Sequence, residues 1–276
     1  MAFSRRLQFA GNNIAAPVSY PQPYPTAATT GVPTGTTLTP SGSLIITTAD
    51  QTVQNLQVTG DIDVRANNVV IRNCSVTGSI FNWNGAGGYS FTVEDCTVGV
   101  AGGFNSQFAI GTENYVARRV HIQGHADGFR IGGSGLPVVI EDSFVELASN
   151  DLNDHSDGIQ AYGGAGSTVL IRHNTIDQRA VPSAAQTAPI FIPGEPQQGN
   201  DGMVSTIQDN LLAGGGFSLR AYGGTFPAIT GNKIVANEWQ YGPLDVDMGL
   251  VTTWADNATV TYNWSTGYII SEVTQL

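Results

Sequence analysis

Val69-Val70-Ile71-Arg72-Asn73-Cys74-Ser75-Val76-Thr77-Gly78 is a phrase that the chain repeats along its length, and the fold follows from how it is read. Variants occupy Gln51 to Gly60, Phe91 to Val100, Tyr115 to Gly124, Val138 to Leu147, Val169 to Gln178, Ser205 to Gly214, Ala228 to Asn237 and Ala258 to Gly267. Such self-similarity signals stacked units, each unable to bury its apolar face alone. Set in columns, the Ile71 position reads Val53, Ile71, Val93, Ala117, Ile140, Ile171, Ile207, Ile229 and Val260, all apolar. The next position reads Gln54, Arg72, Glu94, Arg118, Glu141, Arg172, Gln208, Thr230 and Thr261. One column points in and its neighbour out, as strand residues do. Alternation then skips a beat, because positions 74 and 76 both face in, so position 73 is a corner. The corner column of Asn55, Asn73, Asp95, Arg119, Asp142, His173, Asp209, Gly231 and Tyr262 is rich in types that tolerate a left-handed backbone. The unit is strand, sharp corner, strand.

The inward column after the corner runs Leu56, Cys74, Cys96, Val120, Ser143, Asn174, Asn210, Asn232 and Asn263. Buried singly, an asparagine is costly; stacked at the inter-strand spacing of about 4.8 Å, each amide can bond the next. This column and corner resemble those of the right-handed parallel β-helix proteins, the pectate-lyase-like superfamily. The resemblance covers roughly Thr36 to the C-terminus. It implies an all-β chain: a single-stranded right-handed parallel β-helix solenoid of about nine coils over residues 36–276, behind an irregular N-terminal arm or cap at 1–35.

Composition agrees with that fold class. Glycine at 34 of 276 residues and only 12% charged residues suit a chain dense in turns. The net charge of −11 argues against nucleic acid or an anionic membrane surface as the main partner, since both would repel the chain at long range. Cys74 and Cys96 fall in one inward column, as stacked buried thiols or a disulfide. The arm is dense in proline (Pro17, Pro21, Pro23, Pro25, Pro33), with a short helical turn expected at Ser4 to Phe9, and it would cover the open end of the first coil or attach the protein to an assembly. Gln8, Gly11, Asn12 and Asn13 interrupt the apolar run that a secretory leader needs, and no membrane insertion is expected.

The repeat lengthens towards the middle, which extrudes loops at Gly132 to Pro137, Ala148 to His155, Arg179 to Pro189 and Pro193 to Gly202. A third strand follows each loop, with inward pairs Ile62/Val64, Phe108/Ile110, Phe129/Ile131, Ile159/Ala161, Ile190/Ile192, Leu219/Ala221 and Leu244/Val246. Between them an outward stripe is expected: Asp63, Ala109, Arg130, Gln160, Phe191, Arg220 and Asp245. Loops beside such a stripe commonly wall a groove.

Two units carry matching words at the entrance to that strand, His125-Ala126-Asp127-Gly128-Phe129-Arg130 and His155-Ser156-Asp157-Gly158-Ile159-Gln160. In register Asp127 stacks on Asp157 and His125 on His155. Carboxylates about 5 Å apart repel, so one binds a cation, pairs with a base or has a raised pKa. Asp127 and Asp157 are therefore candidates as an acid/base pair or as Ca²⁺ ligands, with His125, His155 and Arg130 or Arg220 as base or charge stabiliser. Ordinary Asp-Gly turn chemistry is the competing reading. A His₂Asp₂ zinc site has no supporting local spacing.

The word around Asp157 resembles aspartate-glycine segments of pectate lyases and polygalacturonases. However, the adjacent Asp-Asp pair and the Gly-His-Gly and Arg-Ile-Lys segments of the latter are missing. Gln160, Tyr162, Phe191, Arg220 and Tyr222 are the expected substrate-binding set, because flat rings beside polar side chains suit a sugar chain. Thr30 to Leu38, His155 to Gln160 and the late stretch from Tyr241-Gly242-Pro243 through Val251-Thr252-Thr253-Trp254 resemble β-helix minor tail proteins of phages that infect actinobacteria. That resemblance implies a virion tail-tip location, a homotrimer, contact with other tail proteins through the arm and with host envelope polysaccharide. Three readings stand open: a glycan binder with or without cleavage, an extracellular polysaccharide lyase or glycosidase, and an architectural tail subunit.

Overall fold

The computed structural model describes residues 23–82, 88–133, 135–194 and 199–276. The expected helical turn at Ser4 to Phe9 lies outside the described residues. The repeats form parallel strands stacked in long sheets, as a parallel β-helix requires.

The first strands, from Thr52–Gln54 and Val69–Arg72 to Thr225–Thr230 and Trp254–Ala255, make one nine-stranded parallel sheet. Its register is that of the sequence columns from Val53↔Ile71 through Ile207↔Ile229. Second and third strands form a larger sheet, in which each pairs with its counterpart in the neighbouring repeats. The Ile71 column is buried from Val53 to Ile229 and supplies much of one continuous apolar core. Each fully buried aliphatic side chain contributes roughly 1.5–3 kcal/mol.

The corner is left-handed at every repeat. Asn55, Asn73, Asp95, Arg119, Asp142, His173 and Asp209 have φ between 51° and 57°, and Gly231 has 70°. Arg119 is a poor αL former, whereas His173, like Asn and Asp, tolerates that region. Neighbouring corners hold them in place: Arg119 donates to both carboxylate oxygens of Asp95 (2.7 and 2.8 Å), and His173 Nδ1 lies 2.7 Å from Asp142 Oδ1.

Inside the corner stands the asparagine file. Asn174 Nδ2 donates to Asn210 Oδ1 at 3.0 Å, Asn210 Nδ2 to Asn232 Oδ1 at 2.9 Å, and Asn232 Nδ2 to Asn257 Oδ1 at 3.0 Å. The same oxygens accept the backbone N–H groups of Asn174, Asn210 and Asn232. Above the asparagines Ser143 and the cysteines continue the pattern: Cys74 N–H points at Cys96 Sγ, and both thiols are free.

The last repeat corrects the sequence columns. Ile229 pairs with Trp254 and not Val260, the corner is Asp256 and not Tyr262, and Asn257 takes the place expected for Asn263. Val260 belongs after the corner, where Ala258–Asn263 continues the second-strand ladder and turns back antiparallel into Tyr268–Gln275. Val260-Thr261-Tyr262-Asn263 imitates the repeated phrase more closely than Val251 to Asn257 does. The amide bonds of Asn232 nonetheless reach the earlier asparagine.

The third-strand register also moves at one place. Ile110 pairs with Phe129 and with Ile80, which puts Gly111 and not Ala109 on the outer stripe; Ala109 is fully buried. Phe81 joins the stripe beside Asp63.

The described part of the arm lies along the flank. Gly31 N–H donates to the Arg119 carbonyl (2.8 Å), Val32 N–H to Thr97 Oγ1 (3.1 Å), and the Tyr24 ring stacks on His173. Thr39–Ile46, not this segment, pairs with the first full repeat.

Candidate functional site

The third-strand ladder sets Arg130, Gln160, Phe191, Arg220 and Asp245 side by side, one per repeat, in a continuous register. Strand alternation turns them outward because Ile159, Ile190 and Leu219 next to them enter the core. Each guanidinium lies among rings: Arg130 is 5.4 Å from the Phe108 ring centroid and 5.6 Å from that of Tyr162. Arg220 is 4.8 Å from Phe191, 5.7 Å from Phe217 and 5.7 Å from Tyr222. Phe191 meets Tyr222 edge-on, and Phe217 lies beside Tyr241, which is 75% exposed. Such cation–π contacts fix otherwise mobile arginines at about 0.5–2 kcal/mol each.

All five expected substrate-binding residues, Gln160, Tyr162, Phe191, Arg220 and Tyr222, thus gather on or beside this face. Tyr162 is 54% exposed, Gln160 largely buried between its neighbours. Phe81, Phe108, Phe217 and Tyr241 extend the face; Phe108, expected to point inward with Ile110, instead lies only partly buried with its ring against Arg130. Phe217 was hidden by the period itself: strict alternation would turn it inward with Leu219, but Ser218 and Leu219 are both buried, so the alternation slips and the Phe217 ring meets Arg220 and Tyr241 outside.

The paired aspartates stack as expected, but inside the wall. Asp127 Oδ1 accepts the Asp157 N–H (3.0 Å), and Asp157 Oδ1 accepts the Ala188 N–H (3.1 Å). Asp127 Oδ2 receives Arg130 at 2.7 Å. Asp157 is fully buried, and its Oδ2 is without a hydrogen-bond partner among the described residues. Burial first, and the Asp127 carboxylate second, push its pKa well above the usual carboxylate range. Burial raises Asp127 as well, against the pull of Arg130.

The histidines do not stack, which corrects the expected register. His125 is buried, with Nδ1 2.9 Å from the Gln107 carbonyl and its pKa lowered by burial. His155 is exposed and precedes the strand Ser156–Ala161. The reason is the loop between them: the His125 carbonyl already accepts the N–H of Ala148, so the following residues leave the wall and His155 sits at their return.

As Ca²⁺ ligands the aspartates fit poorly. Calcium takes six to eight oxygens, whereas three of the four carboxylate oxygens here already accept hydrogen bonds and Arg130 stands against the pair. Among the described residues no three His, Cys, Asp or Glu side chains converge as a metal site needs.

A separate concavity of about 500 Å³ lies where the arm meets the C-terminal hairpin, lined by Pro25, Phe144, Asp177, Arg179, Tyr262 and Trp264 among others. Arg179 there covers the Trp264 ring at 3.6 Å while bonding Asp177.

Comparison with known proteins adds no name to this geometry: no protein-family profile and no curated protein matches the chain, and no solved structure does. The class that the residues define is an all-β protein of stacked parallel strands, with an aromatic and arginine face along one ladder.

Proposed function

We propose that the protein winds as a right-handed parallel β-helix of nine coils and binds a polysaccharide lengthwise along the third-strand face. The observation that carries this reading is the file Arg130, Gln160, Phe191, Arg220, Asp245, flanked by Tyr162, Tyr222 and Tyr241. Flat rings offer the apolar faces of sugars a surface, and fixed polar groups between them take hydroxyls. A row repeating at about 4.8 Å favours a linear ligand over a compact one. The phrases resembling phage minor tail proteins suggest the setting: a homotrimeric tail-tip component meeting host envelope glycan, with the arm contacting other tail proteins.

Burial favours binding over cleavage. Asp157 and His125 have no exposed surface, so a substrate on the outer face does not reach them in this conformation. Of the proposed catalytic set, Arg130, Asp127 through its Arg130-bonded oxygen, and exposed His155 lie nearest solvent.

Retention on immobilised actinobacterial wall polysaccharide tests the proposal. Wild type is expected to be retained, and Arg220→Ala with Phe191→Ala to lose at least about tenfold in affinity, near 1.4 kcal/mol. Absence of retention, or equal loss from a control change at exposed Ile270, overturns it. Shortened oligosaccharides would instead favour the lyase or glycosidase reading. Failure of virion incorporation after deleting Met1 to Tyr20, with no glycan retained, would favour an architectural subunit.

A further inference from the structure

We propose that the glycan taken by this face is built of uncharged sugar units with adjacent hydroxyls, and not of uronate or phosphate-bearing units; the inference rests on the glycan-binding reading above. Among the described residues three arginines stand on the face, and each is already matched by a carboxylate beside it. Arg65 Nη2 lies 2.6 Å from Asp63 Oδ2, Arg130 Nη2 2.7 Å from Asp127 Oδ2, and Arg220 Nε 2.9 Å from Asp245 Oδ2. Among the described residues no surplus positive charge is left along the ladder to receive an anionic polymer.

The surroundings add negative charge. Asp154 in the loop before His155 is close enough to Asp127 to disfavour its ionisation, and exposed Asp247 follows the Asp245 strand. The chain as a whole carries −11, so a polyanion approaches against both the local and the long-range field. A carboxylate seated on the remaining N–H groups of Arg220 would lie beside the Asp245 carboxylate and be repelled by it.

Adjacent hydroxyls suit the same pairs. A hydroxyl donates one hydrogen bond and accepts others, whereas guanidinium only donates and carboxylate only accepts. Side by side, Arg220 and Asp245 present a donor and an acceptor to two neighbouring hydroxyls, one accepting from the guanidinium and one donating to the carboxylate. Phe191, Phe217 and Tyr222 hold the guanidinium in place, so this geometry exists before ligand arrives. Arg130, held between Phe108 and Tyr162 three repeats away and about 14 Å along the stack, repeats the donor half of the device, while its partner Asp127 lies mostly within the wall and serves to neutralise it.

The experiment is calorimetric titration of the full chain with neutral galactan, arabinan, mannan and glucan oligosaccharides and with oligogalacturonate, at low and high salt. Expected are binding of at least one neutral series that changes less than about twofold with salt, and roughly tenfold weakening by Asp245→Asn. Oligogalacturonate binding that collapses with salt and strengthens in Asp245→Asn overturns the neutral assignment while leaving the glycan-binding reading standing. Binding of neither class, with retention on whole wall polysaccharide also absent, overturns both. Asp245 is part exposed on the outer face, and an unchanged urea midpoint for Asp245→Asn shows that any affinity change is local.

Discussion

Two inward polar files stand at strand junctions among the described residues, and they differ in one atom type. The asparagine file runs through Asn174, Asn210, Asn232 and Asn257 with both ends of each of the first three amides bonded, the Nδ2 groups also reaching the Ile140, Ile171 and Ile207 carbonyls. The aspartate file stops after Asp127 and Asp157. An amide donates and accepts, so a column of amides is self-complementary and can continue; a carboxylate only accepts, so a column of them accumulates charge and orphaned oxygens. The first file is a structural spine, whereas the second needs an arginine at one member and, at the other, leaves a buried carboxyl whose ionisation is disfavoured.

That contrast can be broken from the amide side first. Asn210→Ala removes the acceptor of Asn174 and leaves the Asn232 oxygen with one donor fewer, besides opening a cavity. A loss of about 3–5 kcal/mol is expected by urea denaturation. Asn232→Asp keeps the shape but deletes the donors to Asn257 Oδ1 and Ile207 O, and should cost about 3 kcal/mol at neutral pH, with part regained in acid as the carboxyl protonates. An unchanged midpoint at both pH values would refute the account of the file.

The converse change, Asp157→Asn, should be neutral or stabilising at neutral pH by about 1–2 kcal/mol, because the amide keeps an acceptor for Ala188 N–H and is neutral at every pH, with neither a buried charge nor proton uptake to sustain. The sign follows from linkage. Asp157 holds its proton more tightly folded than unfolded, so its contribution is fully present below the ordinary carboxyl pKa of about 3.9 and is lost as pH rises towards the raised folded value. The stability gap between Asp157→Asn and wild type should therefore widen as pH climbs above about 4; a constant gap would mean that Asp157 titrates normally. The smallest effect is expected at the corner, where Arg119→Asn exchanges the Asp95 ion pair for a better αL residue and should stay within about 1 kcal/mol of wild type.

Much of this was legible in the sequence because burial imposes a strict period. Ile71, Cys74 and Val76 show their directions by apolar alternation, and the Asn73 column shows the corner by its residue types. What failed were places where pattern and hydrogen bonding disagree. Asn263 looked like the ladder's end because its flanking residues match the phrase, while Asn257 wins through bonds that no local pattern displays. His125 and His155 share a word yet not an environment, since loop length rather than motif decides where the chain re-enters the wall. On the outer face the residues were readable and their pairings were not: Arg130 with Asp127 and Arg220 with Asp245 depend on rotamers set by neighbouring rings.

The strap from Tyr24 to Val32 alters how the stack can come apart. In a simple array each repeat leans only on its neighbours and can fray from either end. Here Tyr24 touches Tyr262 near the chain's far end and Gly31 grips Arg119 in its middle, so the opening residues are stitched across repeats that are made long after them. Peeling the final hairpin would release the strap, and the two losses should occur as one cooperative event.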